Sequence, residues 1–147
     1  MALTGTYERS LDEKHRLAIP KRFLEDFREE NLTSLYVAPG TEKSLVVYAP
    51  LGFDRLASRF AEKGTGQAET RKYIRLFYAR AERVDLDGQS RIRIPDRLCD
   101  FAGLSRDVVL IGANDRAEIW DVTRWQEFQR SLADEFDRMA GLALGGM

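Results

Sequence analysis

The sequence predicts a mainly β fold with added helices, assembled from two internal repeats that share one core. Three observations carry this expectation. First, Leu11-Asp12-Glu13-Lys14-His15-Arg16-Leu17-Ala18-Ile19-Pro20-Lys21-Arg22-Phe23 recurs 75 residues later as Leu86-Asp87-Gly88-Gln89-Ser90-Arg91-Ile92-Arg93-Ile94-Pro95-Asp96-Arg97-Leu98, with six identities in thirteen positions. Second, Tyr48, Phe53 and Leu56 return as Trp120, Trp125 and Phe128 at an offset of 72, so the first copy holds three more residues in an intervening loop. Third, each copy reads as strand, tight turn, strand, short helix and hairpin, a unit too small to bury its apolar face alone.

The elements follow in order. Thr6 to Leu11 is a strand, Asp12 to His15 a polar turn, and Arg16 to Ile19 a second strand with Leu17 and Ile19 at alternate positions. Pro20 ends that strand, and its fixed φ suits the first turn of a helix running to about Glu29. Ser34 to Ala38 and Ser44 to Ala49 are β-rich runs around the loop Pro39 to Lys43. In the second copy, Val108 to Ile111 and Ala117 to Trp120 flank the turn Gly112 to Arg116. Leu51 to Phe60 places Phe53, Leu56, Ala57 and Phe60 on one helical face, and its counterpart opens at Thr123 with a capping box to Gln126 and runs to Met139. Between the copies, Ala61 to Glu69 reads as a linker and Thr70 to Ala81 as a basic helix with Tyr73, Ile74, Phe77 and Tyr78 inward. The tail from Gly141 onward is expected to fray. The resulting organisation is a first module at 5–52, helix, linker and helix at 53–80, a second module at 81–124, and a C-terminal helix and tail at 125–147.

One core fits 147 residues. No run approaches the ~20 apolar residues of a membrane span, and the N-terminus has no apolar signal-peptide core, so a cytoplasmic protein without a membrane partner is expected. The single cysteine, Cys99, excludes an intrachain disulfide and reads as a small buried hydrophobe. Net charge is −1, yet the charge is unevenly spread. Residues 1–22 carry five Lys/Arg against three Asp/Glu and residues 70–97 eight against four, while 23–69 and 98–147 sum to −3 and −4. The motif copies are the basic parts of an acidic chain, and local patches steer association more than the total does.

In each motif an Asp opens a four-residue polar turn, where its side chain can accept from the backbone two residues on. Asp12 and Asp87 are therefore the turn-structuring residues. The Arg four positions later either folds back onto that carboxylate as an ion pair or projects from the hairpin tip.

The duplicated Asp-x-x-x-Arg turn, the Ile-Pro that follows with Arg two residues beyond, and Val108-Val-Leu-Ile-Gly-Ala-Asn-Asp-Arg-Ala-Glu-Ile-Trp120 resemble the MraZ family over about residues 5–140. The resemblance implies a bacterial transcriptional regulator of two tandem AbrB/SpoVT-type modules, forming a double-split β-barrel flanked by α-helices. It also implies double-stranded DNA as partner, ring-shaped homo-oligomers, short G-containing direct repeats at the promoter of the division and cell-wall gene cluster, and a place at the nucleoid. Two turn glycines of the family pattern are replaced, by His15 and Ser90, positions where φ > 0 is expected. The early Phe-Arg-Gly of the family pattern is Leu3-Thr4-Gly5 here, so an N-terminal Arg contact does not carry over from the resemblance.

Carried over residue by residue, Lys14, Arg16 and Arg91 match the basic turn residues of the family. Arg16 suits bidentate contact with guanine O6 and N7, and Lys14, a point charge, suits phosphate. His15 reads as a solvated turn residue or as a neutral donor beside them, and Lys21 and Arg22 as phosphate contacts or as a solvated helix face. The first turn carries a cation beside its Arg and the second does not, so the first is expected to face DNA and the second mainly to complete the barrel. No catalytic, metal or cofactor constellation stands out: the one His and one Cys lie 84 positions apart, and no phosphate-cradling Gly loop follows a strand. No small-molecule substrate is expected. The rival function is an AbrB-barrel interaction module, antitoxin- or adaptor-like, without specific DNA binding.

Overall fold

The repeat folds by exchanging strands between its copies. A computed structural model describes residues 1–63 and 66–145, with the first copy forming β1 (Thr6–Ser10), β2 (Arg16–Ala18), α1 (Lys21–Asp26), β3 (Ser34–Pro39), β4 (Leu45–Tyr48) and α2 (Pro50–Lys63). After α3 (Ala68–Arg80) the second copy repeats this as β5 (Glu82–Asp85), β6 (Arg91–Arg93), α4 (Asp96–Ala102), β7 (Asp107–Gly112), β8 (Ala117–Asp121) and α5 (Val122–Ser131), followed by α6 (Phe136–Leu144). Six strands form one sheet in the order β1-β7-β8-β4-β3-β5, and β2 pairs with β6 in a separate ribbon. Exchanging the copies turns that order into its own reverse. β1 pairs with β7, β5 with β3 and β4 with β8, all antiparallel, so neither copy has a complete sheet of its own. The strands make two sheets, with no closed barrel among the described residues.

Period-2 patterning explains the layers. In β3, Leu35 and Val37 face a core that also takes Val47, Val84, Val108, Leu110 and Ile119 from the sheet and Leu17, Phe23, Ile92, Ile94 and Leu98 from the ribbon and the short helices. The opposite residues, Tyr36 of β3 with Val46 and Tyr48 of β4, meet Phe53, Phe60 and Phe77 of α2 and α3 in a second cluster. Tyr36 stacks on Phe53 at 4.2 Å. In the second copy Trp120, Trp125 and Phe128 play the matching part, with ring centroids 5.0–5.7 Å apart. At the N-terminus, Leu3 pairs with Asn114, and the chain passes so close to Gly112 that a Cβ there would lie 2.3 Å from the Thr4 nitrogen.

Several boundaries differ from expectation. α1 stops at Asp26, since Arg28 and Asn31 take positive φ. The helix expected from Thr123 to Met139 is two helices separated by residues 132–135, and its N-cap is Asp121, whose carboxylate accepts from the Thr123 N–H and also binds Ser105. The linker is shorter than expected, because α2 reaches Lys63 and α3 begins at Ala68; Gly64 and Thr65 lie outside the described residues. Of the residues expected inward on α3, Phe77 is buried, Ile74 half-buried, and Tyr73 and Tyr78 exposed. The tail is helical through Leu144, with Gly146 and Met147 outside the described residues. No helix among the described residues is long and apolar enough to cross a membrane.

Candidate nucleic-acid interface

Both Asp-x-x-x-Arg turns fold alike. Asp12 Oδ1 accepts from the backbone N–H groups of Lys14 (2.9 Å) and Arg16 (2.8 Å), and Oδ2 accepts from Arg16 Nε at 2.6 Å. Asp87 accepts from Gln89 N–H (2.8 Å), Arg91 N–H (2.9 Å) and Arg91 Nε (2.9 Å). Each carboxylate thus closes a reversal that the sequence assigned to it. The backbone hydrogen bond from Arg16, followed by the Arg16 side chain and the Lys14 N–H, holds Asp12 down to about 2 against the opposing effect of desolvation, and Asp87 is lowered by the same set of bonds. At the fourth turn position His15 and Ser90 both take φ +58°, the left-handed backbone expected where glycines are missing.

The ribbon brings the turns together. Leu17 and Ile92 sit opposite each other, fully buried, which turns Arg16, Arg91 and Arg93 to the outer face. Arg16 faces Arg93 and Ala18 faces Arg91. The two readings of the Arg side chain are compatible. Arg16 folds back through Nε, while its two terminal amino groups have no protein partner among the described residues and form a free donor edge. Arg91 is held more closely: besides Asp87, its Nη1 lies 4.0 Å from Asp12 Oδ2, and its side chain is 29% exposed against 36% for Arg16. Both turns therefore lie on the same outer face of the ribbon.

The flanking residues are placed across the copies. Ile94 N–H donates to the His15 carbonyl (2.9 Å) and Ile19 N–H to the Ser90 carbonyl (3.0 Å), so each short helix starts beside the other copy's turn. Lys21 and Arg22, exposed at the start of α1, flank the second turn and not the first. His15 is partly exposed and carries a partner of its own. Its Nδ1–H donates to Asp96 Oδ1 at 2.9 Å, so a neutral ring offers only Nε2, an acceptor, to the exterior. The side chains of Lys14, Lys21 and Arg22 have no partner among the described residues.

Two cations were missed in the sequence. Arg93 lies on the outer face by simple alternation with Ile92 and Ile94, a signal present in the repeat itself, where its counterpart is Ala18. Arg106 adjoins the first turn because Leu11 N–H donates to its carbonyl at 2.8 Å, and it lines a concavity of about 730 Å³ with residues Leu11 to Arg16, Leu104 and Ser105. That contact comes from the β1–β7 pairing and has no local signal. Burial pushes the Cys99 thiol up to about 11, and the residue is 3% exposed, as a small core side chain. Among the described residues no three His, Cys, Asp or Glu are grouped to hold a metal.

Comparison with known proteins agrees with the duplication. A family model described as "MraZ protein, putative antitoxin-like" matches residues 2–76 and again 77–143. The chain is 39% identical over 143 residues to the transcriptional regulator MraZ of Kocuria rhizophila, covering 97% of both. It is 33% identical over 136 residues to that of Moorella thermoacetica, covering 92% of both, and 36% identical over 132 residues to that of Salinispora arenicola, covering 90% of both. With two matched regions spanning nearly its whole length, each contributing one Asp-x-x-x-Arg turn to a shared ribbon, this chain belongs to the MraZ family.

Proposed function

We propose that the protein is a sequence-specific transcription regulator that binds double-stranded DNA through the outer face of the β2–β6 ribbon. The free terminal edge of Arg16 carries this reading: a guanidinium fixed through Nε on a rigid turn presents two parallel donors with the geometry of guanine O6 and N7. The name transcriptional regulator, borne by relatives across most of the chain, supports it. Arg91 is the second reader, and Lys14, Lys21 and Arg22 hold phosphates. A ribbon of three-residue strands reaches few bases, so several chains act together as a ring-shaped homo-oligomer on short G-containing direct repeats at the promoter of the division and cell-wall gene cluster. Tyr73 and Leu76 on α3, with Phe136, Leu142 and Leu144 on α6, are exposed apolar residues suited to contacts between chains. The working place is the cytoplasm, at the nucleoid.

A gel shift on DNA from upstream of the chain's own gene, with salt varied, tests the reading. A repeat-dependent complex whose affinity falls steeply with salt is the expected result, and absence of any complex at low salt refutes it. The family description "putative antitoxin-like" favours a second reading, an interaction module whose partner is another protein. Such a module would keep its partner when the turn arginines are removed.

A further inference from the structure

We propose that Arg93 and Arg106 are phosphate-binding residues at the first-turn end of the ribbon, matching the part that Lys21 and Arg22 play at the second-turn end. The inference rests on the DNA-binding reading above and adds two contacts to it.

The pseudo-symmetry of the two copies shows why such residues are needed. Beside the second turn, the start of α1 supplies Lys21 and Arg22, both exposed and without partners among the described residues. Beside the first turn, the start of α4 supplies Asp96 and Arg97 instead. Asp96 is acidic and bonded to His15, and Arg97 is paired with Glu82, so this helix start offers no free cation. Glu13, whose counterpart is Gly88, adds further negative charge at the same end. A duplex lying across the whole ribbon would meet two helix-start cations at the second-turn end, and at the first-turn end Lys14 of the turn itself set among carboxylates.

Two substitutions between the copies restore the balance. The counterpart of Arg93 is Ala18, since Ala18 faces Arg91 as Arg93 faces Arg16. The counterpart of Arg106 is Thr33, since Leu86 N–H donates to the Thr33 carbonyl as Leu11 N–H donates to that of Arg106. The chain therefore carries an extra guanidinium at each of two positions flanking Arg16, and at neither equivalent position flanking Arg91. Neither side chain has an ionic or hydrogen-bonding partner among the described residues, and both are exposed. Arg93 stands directly opposite Arg16 in the antiparallel ribbon, where like charges repel. The first copy of the motif manages with Ala18 at this place, so the motif folds without the cation. A polyanion on the outer face relieves the repulsion and engages both groups, which is what phosphate ligands do.

The test measures binding of the full-length protein to a fluorescein-labelled, mixed-sequence duplex by anisotropy across a salt series. Arg93→Gln and Arg106→Gln are each expected to weaken binding alike on all sequences and to lower the slope of log affinity against log salt by about 0.9 per engaged chain, with Arg93→Lys and Arg106→Lys restoring it. Arg75→Gln on α3, an equal loss of charge, is expected to leave the slope unchanged. The proposal is overturned if the Gln variants keep the wild-type slope in a protein whose binding Arg16→Ala impairs, or if Arg75→Gln lowers the slope as much as they do. A wild-type chain with no salt-dependent binding to the duplex overturns the functional reading itself, and the two contacts with it.

Discussion

Replacing Ser90 with glycine is expected to stabilise the protein. Ser90 occupies φ +58° in the second turn, and its hydroxyl makes no hydrogen bond among the described residues. A left-handed backbone costs a residue with a Cβ roughly 1–2 kcal/mol. Glycine removes that cost but loses about 0.5–1 kcal/mol more unfolded-state freedom. The net expectation for Ser90→Gly is a gain of about 0.5–1 kcal/mol, or about 1–4 °C in Tm for a chain of this size. His15→Gly has the same φ to relieve but sacrifices the Nδ1 hydrogen bond to Asp96, which contributes about 0.5–1.5 kcal/mol. That variant should stay within about 1 kcal/mol of wild type, below Ser90→Gly. Thermal unfolding followed by circular dichroism, at fixed protein concentration because association shifts Tm, compares the two. A Tm for Ser90→Gly below that of wild type would refute the strained-turn geometry.

Three other outcomes follow from the same contacts. Arg91→Ala should weaken DNA binding, since Arg91 shares the outer face, but less than Arg16→Ala, because Asp12 already draws on its Nη1 edge; a gel shift ranking them in the reverse order contradicts this. Sedimentation at micromolar concentration should show a species well above the 16.8 kDa chain, and a monomer alone would remove the ring. Asp12, lowered from 3.8 to about 2 in the folded chain, stabilises the turn fully above about pH 4 and loses that contribution as pH falls through 2, so the contribution of this carboxylate should be constant between pH 5 and 8; an NMR titration of its carboxyl with a midpoint near 4 would be inconsistent.

The duplication, the strand-turn-strand motif and the roles of Asp12 and Asp87 were legible because they are local. A turn carboxylate bonds residues two and four positions on, and those lie within one motif. The exchange of strands was not legible. Lys21 and Arg22 follow the first turn in sequence, yet the antiparallel ribbon carries them to the second, because register between two distant strands is set by burying Leu17 against Ile92. Arg106 escaped notice for the same reason. His15 looked solvated because its partner, Asp96, is 81 residues away. The break at residues 132–135 was hidden by apolar residues that keep helical spacing through it, from Phe128 and Leu132 to Phe136 and Met139, although Phe136 ends up 75% exposed. The cap at Asp121 was missed because Thr123 and Gln126 offered a matching capping pattern two residues later.

The central claim is that a guanidinium edge, held by its own turn, reads DNA. Arg16→Ala tests it most directly, measured as the ratio of affinity for DNA upstream of the chain's own gene to affinity for an unrelated duplex of equal length. The turn keeps its Asp12 bonds to the Lys14 and Arg16 backbone, so the variant should melt cooperatively like wild type. Its specific affinity is expected to drop by about 1–3 kcal/mol per engaged chain, with the ratio collapsing toward unity. An unchanged ratio in a normally folded variant would contradict the account.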